Sequence, residues 1–116
     1  MSKEIDNVIS WKDFESVDIR VGTVITANPL ATAVKPAYVL EIDFGHMGIK
    51  KSSAQLTALY SPESLIGRQV LAVVNFPPKQ IANIMSECLV LGLYATDDSV
   101  VLIQPDRTVY NGCKLG

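Results

Sequence analysis

Apolar residues along this 116-residue chain fall mostly into short runs and period-two alternations, separated by Gly, Pro and Asx positions that punctuate strands. Residues 18–27 alternate, with Ile19, Val21, Thr23 and Ile25 on one face, as in a half-buried strand. Gly22 within it marks a bend or bulge of the kind a barrel corner requires, and Asn28 with Pro29 ends it. A second strand follows Pro36 over residues 37–44, turns at residues 45–48, and pairs antiparallel with a third over residues 49–53. Residues 70–76 and 88–94 form the fourth and fifth strands. Asp97 and Asp98 then turn the chain into an extra hairpin strand over residues 100–103.

Helical signals are short. Ser10 is an N-cap, Asp13 stands three residues on in a capping-box position, and Trp11 and Phe14 share a face. Residues 54–60 read as a helix with Leu56 and Leu59 one turn apart. Ser61, Pro62 and Glu63 start another that Gly67 stops. Five core strands with a helical connection between the third and fourth is the order of an oligonucleotide-binding barrel. The expected fold is therefore all-β: a five-stranded OB-fold barrel with a short N-terminal helix, that helical connection, and an extra C-terminal hairpin strand.

Length and composition narrow this to one domain over residues 1–116, with residues 1–9 expected as a disordered tail. A hydrophobic content of 48% excludes a disordered chain and implies a partly apolar surface, as in an oligomer. The first residues lack a basic start followed by an apolar run, and no apolar run approaches the ~20 residues of a membrane span. The expectation is a cytoplasmic protein without membrane insertion. Two cysteines, Cys88 and Cys113, without Cys-x-x-Cys spacing, and one histidine, His46, exclude a zinc site and leave no metal or other cofactor expected. Cys88 sits in an apolar strand pattern and reads as buried and unbonded. Asp97 and Asp98 lack the further oxygen ligands of a calcium loop, and His46 reads as a surface residue beside a glycine turn. No nucleophile elbow, phosphate-binding loop or dinucleotide fingerprint occurs, so no enzyme activity is expected.

The net charge is −2, but the charges are unevenly placed. Residues 44–86 carry Lys50, Lys51, Arg68 and Lys79 against Glu63 alone, a net of +3, whereas residues 1–43 carry a net of −3. Such a modest field fits weak binding of nucleic acid better than tight binding.

The cations coincide with a recognisable pattern. Asn75, Phe76, Pro77, Pro78 and Lys79 close the fourth strand, and Ser86, Glu87, Cys88 and Leu89 open the fifth. This segment resembles the tRNA-binding domain of free-standing bacterial proteins and of methionyl- and phenylalanyl-tRNA synthetase appendices, whose pattern is Asn-Leu-x-Pro-Arg/Lys, a short loop, then Ser-x-Gly-Met. The likeness extends through residues 14–23, 42–45 and 49–55, and is strongest to the stand-alone CsaA type, a secretion-linked chaperone. It departs at Cys88 and Leu89, which replace Gly-Met, and at Asn83, where the family usually has Gly. Asn tolerates the left-handed conformation that the loop needs.

The resemblance implies a homodimer that binds tRNA, and chaperone action on unfolded or exported polypeptides. Dimerisation would use the N-terminal helical segment and the C-terminal hairpin. The RNA-contacting candidates are Lys50, Lys51, Ser52, Ser53, Asn75, Lys79 and Ser86. Lys50 and Lys51 point to opposite faces of one strand, so at least one faces a phosphate, with Ser52 or Ser53 donating beside it; the alternative is a solvated edge guarded by lysines. Asn75 either reads a base or ribose or ties down the Pro-Pro loop. The other functional readings are a peptide-binding chaperone with little RNA affinity and an interaction module that recruits a partner to tRNA.

Overall fold

The computed structural model describes residues 7–31 and 34–116; the first six residues of the expected tail lie outside that range. Five strands form the main antiparallel sheet: β1 (Ile19–Pro29), β2 (Tyr38–Asp43), β3 (Ile49–Ala54), β4 (Gln69–Val73) and β7 (Leu89–Val90). Their order is β3-β2-β1-β4-β7, and the sheet curls until β3 approaches β7, giving the nearly closed OB-type barrel expected from the sequence. Two hairpins are added. One pairs β5 (Lys79–Ile81) with β6 (Ile84–Ser86), and the other pairs β8 (Gly92–Tyr94) with β9 (Val100–Leu102).

β1 is long enough to serve two neighbours: residues 19–23 pair with β4, and residues 23–29 with β2. The alternation of Ile19, Val21, Thr23 and Ile25 marks its outer side. The interior is taken by Gly22 and Val24 and, beyond a register shift between Val24 and Thr26, by Ala27. Gly22 is required by close approach, since a Cβ there would lie 2.8 Å from the Phe44 ring. Val21 is buried from outside by the C-terminal segment, whose Gly112 N–H donates to the Val21 carbonyl at 2.7 Å. The core is built from Val24, Leu40, Ile42, Phe44, Leu65 and Val70, each fully buried.

Helix α1 (Trp11–Glu15) carries the expected capping box: Asp13 N–H donates to Ser10 Oγ, and Ser10 N–H to Asp13 Oδ2. Helix α2 (Pro62–Leu65) has the same device with Ser61 and Ser64, and Gly67 leaves it at φ 87°. The helix expected over residues 54–60 does not form. Ala54 belongs to β3, and a turn follows in which Leu56 enters the core while Leu59 is exposed. Seven residues are too few for a helix without packing on both leucines. Tyr60 is instead fixed by partners, its carbonyl accepting from Tyr38 Oη at 2.7 Å and its hydroxyl from Leu102 N–H at 3.0 Å. The expected fifth strand is divided, β7 pairing with β4 and β8 turning away to β9.

Candidate nucleic-acid interface

Where β3 meets the segment after β6, side chains do the work of a missing ladder. Glu87 N–H donates to the Lys51 carbonyl at 2.8 Å, and Glu87 Oε1 accepts from Lys51 N–H at 2.9 Å. Ser86 Oγ accepts from Ser53 N–H at 3.2 Å, and Ser52 Oγ donates to the Cys88 carbonyl at 3.0 Å. The two motifs that the sequence singled out, residues 50–53 and 86–88, are thus joined along the seam of the barrel.

This geometry sorts the candidates by face. Lys50, Ser52 and Ala54 alternate inward along β3, with Lys51, Ser53 and Gln55 on the outer side. Ser52 is fully buried and its hydroxyl closes the seam, so of the pair Ser52 or Ser53 it is Ser53 that stands on the outer side. Burial pushes the Cys88 thiol up to about 11, outweighing the Ser52 hydroxyl and the half-buried Lys50, both of which favour the thiolate. The Cys88 sulfur faces the Lys51 carbonyl at 3.8 Å, and both cysteines are free thiols, Cys113 exposed.

On the outer side, Ser53, Lys79 and Ser86 line one groove of about 460 Å³ with Phe76, Ile81 and Leu89. Lys79 sits directly opposite Ser86 across the β5–β6 hairpin. This hairpin, read from the sequence as a plain loop, is what carries Lys79 over the groove. Among the described residues Lys50, Lys51 and Lys79 form no ion pair, and of the three Lys51 and Lys79 carry their charge on the exposed side. Phe76 was passed over as a candidate, although it is 54% exposed within the groove. Its signal was an aromatic residue immediately before two prolines, where backbone freedom is restricted.

Asn75 stands apart from the groove. Its Oδ1 accepts from Asp18 N–H at 3.0 Å and its Nδ2 donates to the Ser16 carbonyl at 2.8 Å, tying the end of β4 to the turn after α1. Asn83 shares the β5–β6 turn with Ala82, and the left-handed residue there is Ala82, at φ 51°. Among the described residues no group of three or more His, Cys, Asp or Glu side chains could hold a metal ion, and no helix is long and apolar enough to cross a membrane.

With this geometry in hand, comparison with known proteins is specific. The family model for the tRNA binding domain matches residues 19–114. Methionine–tRNA ligase of Leptospira biflexa (strain Patoc 1) is 35% identical over 107 residues, which cover 92% of this chain but only 15% of that enzyme. Among solved structures, chaperone CsaA of Bacillus anthracis superposes with a TM-score of 0.89 at 50% identity, over 94% of this chain and 99% of that one. The CsaA chaperone protein of Picrophilus torridus gives 0.88 at 47%, over 94% and 100%. This chain belongs to the tRNA-binding domain family.

Proposed function

We propose that this protein is a non-catalytic, cytoplasmic tRNA-binding module that takes RNA on the outer face of β3 and the β5–β6 hairpin. The observation that carries this reading is the family match over residues 19–114, which includes every strand of the barrel and the groove under Lys79. Lys79 and Lys51 supply charge to phosphates, and Ser53 and Ser86 supply hydrogen-bonding groups at the groove wall. Lys50 adds charge at the barrel end. Ser52 and Asn75 hold the site from behind, through the seam and the α1–β1 turn. RNA recognition would rest mainly on shape and backbone.

A titration against bulk tRNA at two salt concentrations tests this. Binding is expected to weaken steeply with salt, and Lys79→Ala to lower the magnitude of the log–log salt slope by about 0.7 to 0.9 with the fold intact. Wild-type affinity and slope in that variant would remove Lys79 from the site.

A second reading has its own observation. The groove floor is apolar, with Phe76, Ile81 and Leu89, and a solved structure half identical to this chain is a chaperone. In this reading the groove takes exposed segments of unfolded polypeptides, in protein export or elsewhere. Binding of a denatured polypeptide that persists as salt rises would favour it.

A further inference from the structure

Lys51 stands in a row of outward side chains that crosses three strands. Thr26 on β1 and Lys51 on β3 each lie directly opposite Glu41 on β2, one on either side of it. Side chains directly opposite on one face of a sheet are close enough to interact, and opposite charges there attract. Glu41 and Lys51 nevertheless stay apart. Among the described residues Lys51 forms no ion pair. The Glu41 carboxylate turns the other way, its Oε1 accepting from Thr26 Oγ1 at 2.8 Å. Two more carboxylates flank Lys51, Glu87 across the seam and Asp43 on the diagonal, and both are likewise held by uncharged donors. Glu87 Oε1 accepts from the Lys51 backbone N–H at 2.9 Å, and Asp43 Oδ1 from Gly45 N–H at 2.8 Å.

We propose that Thr26 is a positioning residue for RNA binding: by holding Glu41 toward β1 it keeps the Lys51 ammonium free for a phosphate. This rests on the tRNA-binding reading and accounts for how a lysine among carboxylates can serve in it. An exposed ion pair is weak and comparable to a single neutral hydrogen bond, so the Thr26 hydroxyl is enough to decide which neighbour Glu41 takes. Without that hydroxyl, the group opposite Glu41 that can still donate is the Lys51 ammonium. An ammonium paired with Glu41 must be released before it can meet a phosphate, and the released carboxylate then repels the RNA backbone.

The test is a double-mutant cycle in the full chain. It is read by tRNA titration at several salt concentrations and, without RNA, by the acylation rate of Lys51 followed by mass spectrometry. Thr26→Val keeps the shape and the strand preference of the side chain but loses the hydroxyl. It is expected to weaken tRNA binding by about two- to fivefold, the worth of one exposed ion pair. The magnitude of the salt slope should fall with it, and Lys51 acylation should slow. Thr26→Ser, which keeps the hydroxyl, should match wild type. Thr26→Val with Glu41→Gln should recover both readouts, because the competing charge is gone. Lys51→Ala should itself lower the slope by about 0.7 to 0.9, and in that background Thr26→Val should have no further effect. A mere loss of sheet packing would persist in both combinations. The inference is overturned if Thr26→Val binds tRNA as wild type does, or if Glu41→Gln fails to rescue it. It is also overturned if Lys51→Ala leaves the slope unchanged while wild-type binding depends on salt. If wild-type protein binds no tRNA, the tRNA-binding reading itself fails, whereas unchanged Lys51 acylation in Thr26→Val refutes the positioning role alone.

Discussion

Ala82 holds a position that its side chain dislikes. It is the first residue of the two-residue turn between Ile81 and Ile84, at φ 51°. Hairpin turns of this length require positive φ at that first position. The sequence placed the left-handed residue at Asn83; the turn geometry puts it one residue earlier. A left-handed Ala costs about 1–2 kcal/mol and glycine almost none, though glycine loses more entropy on folding. Ala82→Gly is therefore expected to raise stability by about 0.5–1 kcal/mol, seen as a higher urea midpoint at unchanged slope. At Cys88 burial holds the thiol neutral up to about pH 11, whereas the unfolded chain loses that proton near 9.0. The contribution of Cys88 to stability is thus complete below about pH 9 and lost as pH rises toward 11. Denaturation between those values should show wild type losing stability more steeply than Cys88→Ser. Native protein at neutral pH should react with thiol reagents at exposed Cys113 long before Cys88.

At the level of elements, the seam between β3 and the segment after β6 decides whether the barrel closes. Backbone pairing there is incomplete, and Ser52, Ser86 and Glu87 supply the difference. Ser52→Ala would leave the Cys88 carbonyl with only the longer contact from Ser86 Oγ at 3.4 Å and is expected to cost about 1 kcal/mol. Ser53→Ala, whose backbone rather than hydroxyl serves the seam, should stay within about 0.5 kcal/mol. Hydrogen exchange at residues 86–90 reads the difference directly, with faster opening only in the Ser52 variant. The strands were legible in sequence because each buries one regular face, and the capped helix starts because Ser10 and Ser61 act locally. The β5–β6 hairpin was hidden because its strands have three residues each, too short for Ile81, Ile84 and Met85 to show an alternation. The residues 54–60 failed as a helix because the leucine spacing could not reveal that Leu59 has nothing to pack on. The site was legible as a set of residues but not as a surface. Spacing could show that Lys50 and Lys51 point apart, yet not that Ser52 is sealed in the seam or that Asn75 is tied to Ser16.

For the whole molecule, one group of exposed apolar side chains lies where the chain ends meet. Val8, Ile9 and Trp11 are each about two-thirds exposed or more, and Trp11 packs at a tilt on Phe14, ring centroids 5.4 Å apart, beside Val17 and Leu115 around a cleft of about 260 Å³. The β8–β9 hairpin adds exposed Leu93 and Tyr94, one on each of its faces. Apolar patches of this kind commonly mark a protein–protein interface, and a two-fold pairing would use the same patch on both copies. The protein is accordingly expected to sediment as a dimer at micromolar concentration. Trp11→Ser should shift it to monomer with thermal unfolding of the monomer still cooperative. Dimerisation also bears on RNA binding, because a chain of net charge −2 presents only a modest basic face. In a dimer two such faces would act on a single tRNA as a linked pair, and linkage can raise affinity by about 10² to 10⁴ when both sites are reached together. The Trp11→Ser monomer is therefore expected to bind tRNA far more weakly than the dimer while binding a short oligoadenylate, which spans only one face, with unchanged affinity. Equal loss on both probes would mean that Trp11 supports the binding face itself, and no loss on tRNA would mean that each face acts alone.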